Sequence, residues 1–404
     1  MTAHQRSPGV REPATSVDEL VARARALVPM LSSRAEQTER DRRVSPETID
    51  ALREAELFKL MQPRRFGGFE LGFDALVDID LELAQGCGSS AWCASLGMVH
   101  QWFTALFPLP AQEEVWADPG TIVAGSYMPA GRAEAAPGGF EVSGRWSFTS
   151  NCDNSGFFLL GTMFPADGAA PRAGFSLVPR ADLTIIDDWH TVGLAGTGSK
   201  SVAIEEPVFV PEHRHVLVEN LATGTAPGFA VSGNPVHTLP LLSVLPACLV
   251  SPALGMVDGA VRDFLDWIGE RKTTGAVSGG GASMAQFAHV QSRIAEATAS
   301  LDAAKLLLRR DLADAAFLVS AGEEMSLATR FRNRRDHGFA VQLAVRAASG
   351  LFDAVGGRGL HMSSSIQRAW RDVNAVARHA SLNWDAISTM YGQHRFGLEP
   401  RGQF

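Results

Sequence analysis

The spacing of apolar residues changes twice along this chain, and each change narrows the folds open to it. Near the start, Leu76, Ile79 and Leu83 recur three and four apart, as on one face of a helix. Between about residues 121 and 217 the period drops to two. Phe140 and Val142, Trp146 and Phe148, Val202 and Ile204, Val208 and Val210 alternate between glycine and proline turns. Helical spacing then returns. It runs through Leu254, Val257, Val261, Phe264 and Ile268, through Phe287 to Leu308, and through Val341 to Val355. A last helix is expected to carry Trp370, Val373, Ala377, Ala380 and Trp384 without interruption.

This order predicts an α+β fold that is mainly α. A lead at 1–16 precedes an N-terminal helical domain at 17–120, a small antiparallel β domain at 121–225 and a C-terminal four-helix bundle at 226–404. No helix-period segment separates the strands, which argues against a βαβ unit. Ser45 and Pro46 read as the cap and first position of a helix. The S-G-G-G-A-S stretch at 278–283 reads as a loop between two bundle helices.

Several function classes fall away. A formal net charge of −8 over 404 residues leaves no electrostatic footprint for nucleic acid or an anionic membrane. No apolar run is expected to reach the roughly 20 residues of a membrane span. Cys87, Cys93, Cys152 and Cys248 form no C-x-x-C pair and read as reduced core thiols of a cytoplasmic protein. No H-E-x-x-H or G-x-S-x-G motif is present, and His213-x-His215 reads as two solvated loop histidines, so no metal site is expected. G-L-A-G-T-G-S-K-S at 193–201 is one residue from a phosphate-binding loop, but Ser199 separates the last glycine from Lys200 and a strand follows in place of a helix. It reads as a turn of the β domain. No G-x-G-x-x-G opens a helix after a strand, so no nicotinamide site is visible.

The zones and their motifs resemble the acyl-CoA dehydrogenase superfamily. The resemblance rests on P-R-R-F-G-G-F-E-L-G-F-D-A-L at 63–76, G-R-W-S-F-T-S-N at 144–151, the turn W-H-T-V-G-L-A-G-T-G-S-K-S-V at 189–202, and R-A-W-R-D-V-N-A-V-A-R-H near the end. Within it, the chain is most similar to the oxygenase components of two-component flavin-dependent monooxygenases, such as p-hydroxyphenylacetate, phenol and polyketide hydroxylases. Arg378-His379-Ala380 stands where some dehydrogenases carry a catalytic glutamate. Lys200 departs from the small polar residue expected at its position.

The resemblance implies a water-excluding chamber between the β domain and the C-terminal helices. There, reduced FMN or FAD, brought by diffusion from a separate NAD(P)H:flavin reductase, would react with O₂ to give a C4a-hydroperoxide. That species would hydroxylate an aromatic, phenolic, polycyclic or indole-type substrate. By the same resemblance Trp92, Ser126, Phe148, Thr149 and Ser150 contact the flavin, with Thr149 and Ser150 nearest its N5 atom. Arg271 binds the flavin phosphate, from a neighbouring subunit of a homotetramer. His379 and His100 meet the substrate, His379 taking the proton of a phenol, and Ser126 lies between flavin and substrate. Three alternatives stand beside this reading: a dehydrogenase using Asp258 or Asp263 as its base, an N-oxygenase acting on an amine or amino sugar, and a ligand-binding scaffold without catalysis.

Overall fold

The computed structural model describes residues 16–402 apart from 167, 270, 273–280 and 282. The expected N-terminal lead and most of the 278–283 loop fall outside them. The first helices are α1 (Val17–Asp41), α2 (Pro46–Glu54), α3 (Phe73–Leu83), α4 (Gly88–Thr104) and α5 (Leu109–Val115). The strands are β1 (Val123–Ala136), β2 (Gly139–Thr149), β3 (Phe157–Ala166), β4 (Ala169–Pro179), β5 (Thr184–Ile186), β6 (Lys200–Pro211) and β7 (His215–Leu217). Three short helices, α6 (Val218–Thr223), α7 (Phe229–Ser232) and α8 (Leu241–Val244), lead to α9 (Ala247–Gly269), α10 (Ala288–Ser320), α11 (Leu327–Val355), α12 (Ser365–Val376) and α13 (Trp384–Arg395). Ser45 caps α2 as its sequence suggests, accepting from the Thr48 amide at 3.3 Å.

The strands form one sheet in the order β5-β6-β2-β1-β3-β4-β7. It is not wholly antiparallel, as the alternation had suggested: β1 and β3 run parallel, with Val123 opposite Phe157 and Ser126 opposite Leu160. The crossover that joins them is β2 rather than a helix. A parallel pair of this kind therefore leaves no helical period in the sequence. Trp146 anchors the sheet's own core beside Phe158 and Phe164, and its indole N–H donates to the Gly161 carbonyl at 2.7 Å.

Helices α9 to α12 make the bundle, and α13 packs on α11. The expected last helix is broken. It stops at Val376, His379 adopts an extended conformation (φ −61°, ψ 136°), and a new helix begins at Trp384. Leu241–Gly269 and Leu327–Leu360 are long and apolar enough to pass for membrane spans, contrary to the sequence expectation. The first is a core helix, with residues such as Val250, Leu254 and Val257 fully buried, and the second contributes Val341, Ala344 and Leu351 to the same core.

Polar pins join the layers. Asp80 of α3 lies fully buried and meets Ser95 of α4 at 2.6 Å and Ser251 of α9 at 2.7 Å. Burial pushes its carboxyl well above the usual range, so it sits there neutral. The glycine-rich turn at 193–199 is a second pin. A Cβ on Gly193 would stand 2.3 Å from the Arg371 carbonyl oxygen, and the Leu194 amide donates to Asp372 Oδ1 at 2.6 Å. The segment runs into β6 and not into a helix, so it is not a phosphate loop; its contacts with α12 go beyond the β-domain turn that the sequence suggested. Lys200 faces Asp153 at 2.9 Å, with only 11% of its side chain exposed.

Candidate active site

Trp92 stands on α4, a helix buried along almost its whole length. Its indole N–H donates to Ser150 Oγ at 3.1 Å, Ser150 Oγ lies 2.7 Å from Ser199 Oγ, and Ser199 Oγ lies 2.6 Å from Thr197 Oγ1. Thr197 Oγ1 donates to the Leu194 carbonyl at 2.8 Å. Each hydroxyl has one proton, so the chain has one direction: Trp92, Ser150, Ser199, Thr197, Leu194. Ser150 therefore spends its hydroxyl proton on Ser199, and its amide turns back to the Phe148 carbonyl at 3.1 Å. With its hydroxyl proton committed, Ser150 orients Trp92 and has only a lone pair left to offer a flavin. Thr149 differs, since its hydroxyl oxygen is buried and has no partner. Beside it Phe148 takes a left-handed φ of 63° and is 71% exposed, a costly display for an aromatic ring unless something covers it.

His379 comes to this end of the site from the broken helix. Its ring centroid lies 6.0 Å from that of Trp92. Its Nδ1 accepts the Ser381 amide at 3.2 Å, which assigns the proton of the neutral ring to Nε2. Burial, then the charge of Arg334, holds its pKa down to about 4. Arg334 is itself buried, has no carboxylate partner among the described residues, and donates through Nη1 to the Ser381 carbonyl at 2.9 Å. One short turn is thus gripped at its carbonyl by Arg334 while its amide sets the His379 tautomer. Arg334→Met is expected to cut turnover roughly tenfold, the worth of one charged hydrogen bond, with flavin affinity unchanged and partial recovery in Arg334→Lys. Unchanged steady-state kinetics in Arg334→Met would leave the arginine with no positioning role.

His100 lies eight residues beyond Trp92 on α4, about 12 Å along the helix at 1.5 Å per residue. Its Nδ1 sits 2.6 Å from the Val123 carbonyl oxygen and so carries the proton, leaving a bare lone pair on the buried, partnerless Nε2. Burial holds its pKa to about 4 as well. In these tautomers His379 presents an N–H at Nε2, and His100 presents a lone pair at Nε2. Both rings stay neutral as the pH falls from 7 to 5 and gain a proton only near 4. The acid limb of turnover belonging to them is therefore expected near pH 4; a pH–rate profile with that limb centred on the free-imidazole value of about 6.5 would contradict their burial. Ser126 donates to the Ser147 carbonyl at 2.8 Å, so its hydroxyl proton is already committed and only its lone pairs remain to offer.

Arg271 lies on a different segment from these groups, its guanidinium 4.1 Å from the centroid of the Trp267 ring and its Nη1 buried without a partner among the described residues. Burial and the charge of Arg358 lower its pKa. Trp267, Arg358 and Ser363 to Ser365 line a cleft of about 390 Å³ at the N-terminus of α12, a setting that suits a phosphate. A larger cleft of about 580 Å³ is lined by Glu212, His213 and His215. Neither of these two clefts is lined by His379 or Trp92, so neither is the chamber expected beside His379. His213 is paired with Glu114 at 2.9 Å and is not merely solvated, and no group of three or more metal-ligating side chains occurs among the described residues. Asp258 is bound to Lys305 at 2.7 Å and Asp263 to Arg262 at 2.8 Å, which removes both as free bases.

The family model for the acyl-CoA dehydrogenase C-terminal domain matches residues 247–384. An FADH2-dependent resorcinol hydroxylase oxygenase component from Rhizobium sp. strain MTP-10005 is 43% identical over 394 residues, covering 95% of this chain and 96% of that protein. The chain belongs to the flavin-dependent monooxygenase oxygenase components of the acyl-CoA dehydrogenase superfamily. Among solved structures, the 3-HSA hydroxylase from Rhodococcus sp. RHA1 superposes with a TM-score of 0.90 at 35% identity, over 96% of this chain and 99% of that one. XiaF from Streptomyces sp., in complex with FADH2 and glycerol, does so at 0.87 and 27% identity, over 96% and 97%.

A reduced flavin fits what this monooxygenase presents: the exposed Phe148 ring, the orphaned Thr149 hydroxyl, and the Arg358 cleft, with Arg271 stacked on the Trp267 ring that lines it. Sequence reasoning missed Tyr127, Arg334 and Ser199. Arg334 stands in the basic run 332–335, where nothing in the sequence sets it apart from Arg332 and Arg335. Tyr127 stood beside Ser126 in a stretch already singled out, and its signal was rarity, since the chain has only two tyrosines.

Proposed function

We propose that this chain hydroxylates a phenolic ring, using FADH2 brought by a separate NAD(P)H:flavin reductase. When bound, the reduced flavin supplies activated oxygen. The protein's own contribution is positional. Trp92, fixed by its relay to Leu194, and the unspent Thr149 hydroxyl hold one end of the site. His379 offers an N–H from Nε2 there, while His100, farther along α4, offers a lone pair to a substrate hydroxyl. Hydrogen bonding to that hydroxyl raises electron density on the ring carbons beside it and so favours attack by an electrophilic oxygen.

The observation that carries this reading is the pair of neutral histidines in opposite tautomers, one donor and one acceptor, at the two ends of one buried helical stripe. Exposed apolar residues such as Leu306 and Phe317 on α10 support association of subunits over that face, as a homotetramer needs. The test is a panel of resorcinol, other phenols, an indole and an amine, assayed with a flavin reductase, NADH and FAD. Hydroxylated phenols are expected; hydrogen peroxide alone with every phenol would overturn the reading, and an oxidised amine would move it to N-oxygenation.

A further inference from the structure

Two buried polar atoms at the inner end of the site have no partner among the described residues, and they belong to neighbouring rings. One is His100 Nε2, an acceptor; the other is the Tyr127 hydroxyl. The ring centroids lie 5.8 Å apart. Both rings lean on the same bare Cα: a Cβ at Gly125 would stand 3.1 Å from His100 Nε2 and 3.1 Å from Tyr127 Cε1. Phe103 and Phe175 complete the wall, with centroids 5.6 and 5.5 Å from that of Tyr127. Burial, aided by the nearby Cys248, raises the Tyr127 pKa well above its ordinary value, so the phenol keeps its proton and can donate.

An orphaned buried hydroxyl weighs against the fold until something arrives to bond it. One unmet donor and one unmet acceptor are the complement of a single hydroxyl, which gives a hydrogen to one and takes a hydrogen from the other. We infer that Tyr127 is a substrate-binding residue: its O–H donates to the oxygen of the substrate's ring hydroxyl while His100 Nε2 accepts that hydroxyl's hydrogen. The inference rests on the phenolic reading above and sharpens it. It selects rings bearing a free hydroxyl over their methyl ethers, which cannot donate to His100.

Tyr127→Phe separates this role from a structural one, because the two move the free protein in opposite directions. With the hydroxyl gone, the ligand-free protein is expected to melt no lower than the parent, and higher if the orphan's cost is relieved. The KM for resorcinol is expected to rise about tenfold with FADH2 affinity unchanged, and the rise in melting temperature caused by added resorcinol is expected to shrink. A lower melting temperature without ligand, or an unchanged resorcinol KM in a variant that still turns over, would overturn the inference. Failure of the parent protein to hydroxylate any phenol would instead overturn the functional reading on which it rests.

Discussion

His379→Ala is expected to retain flavin affinity and lose nearly all hydroxylation, with turnover falling by about 10²- to 10⁴-fold. The expectation rests on three observations. The ring stands 6.0 Å from Trp92, its Nδ1 is fixed by the Ser381 amide, and its Nε2 proton has no partner among the described residues. A side chain held in one tautomer with its donor left open is arranged to meet something that arrives. Alanine removes that donor but leaves Trp92, Thr149 and the Arg358 cleft intact, so FADH2 should still bind and still consume oxygen. Uncoupling is the signature: flavin oxidation continues while product disappears and hydrogen peroxide accumulates. His379→Asn, which can present an N–H of its own, should recover part of the loss. Normal hydroxylation by His379→Ala would reduce the ring to packing.

The second large effect concerns folding. Lys200→Met is expected to destabilise the protein by about 3 kcal/mol, because it leaves the Asp153 carboxylate in a mostly buried position without its counter-charge. Lys200 enters β6 just where the glycine-rich turn ends, and Asp153 follows the strand end that carries Thr149 and Ser150. The pair therefore ties together the two segments on which the Trp92 relay depends. Lys200→Met/Asp153→Leu, an apolar pair in the same place, should recover most of the stability, since removing both charges leaves none unpaired. Equal denaturant midpoints for the parent and Lys200→Met would show that the ion pair contributes nothing. This pairing also answers the sequence departure at Lys200: it is a buried partner for Asp153.

Much of the fold could be read from the chain because hydrophobic period is a local property. Runs such as Leu254 to Ile268 can bury one face only as helices, and Phe140–Val142 or Val208–Val210 only as strands. What the chain concealed depends on distant partners. The helix break after Val376 has neither glycine nor proline to mark it; it is stabilised by Arg334, some 40 residues earlier, gripping the Ser381 carbonyl. The parallel β1–β3 pair depends on β2 folding back outside it, and alternation looks the same in either direction.

The site divides along the same line. His100, His379, Trp92 and Thr149 could be named because the motifs around them resemble those of the flavin-dependent hydroxylases. The committed state of Ser150, the open hydroxyl of Tyr127 and the tautomers of the two histidines are properties of hydrogen bonds formed across the fold. No spacing in the sequence encodes them.

The most direct test is a single turnover under ¹⁸O₂ with photoreduced FAD and resorcinol, without reductase or nicotinamide. A chain that only needs its flavin delivered already reduced should give a hydroxylated ring carrying one labelled oxygen atom. Labelled hydrogen peroxide with unaltered resorcinol and every other phenol tried would contradict the account.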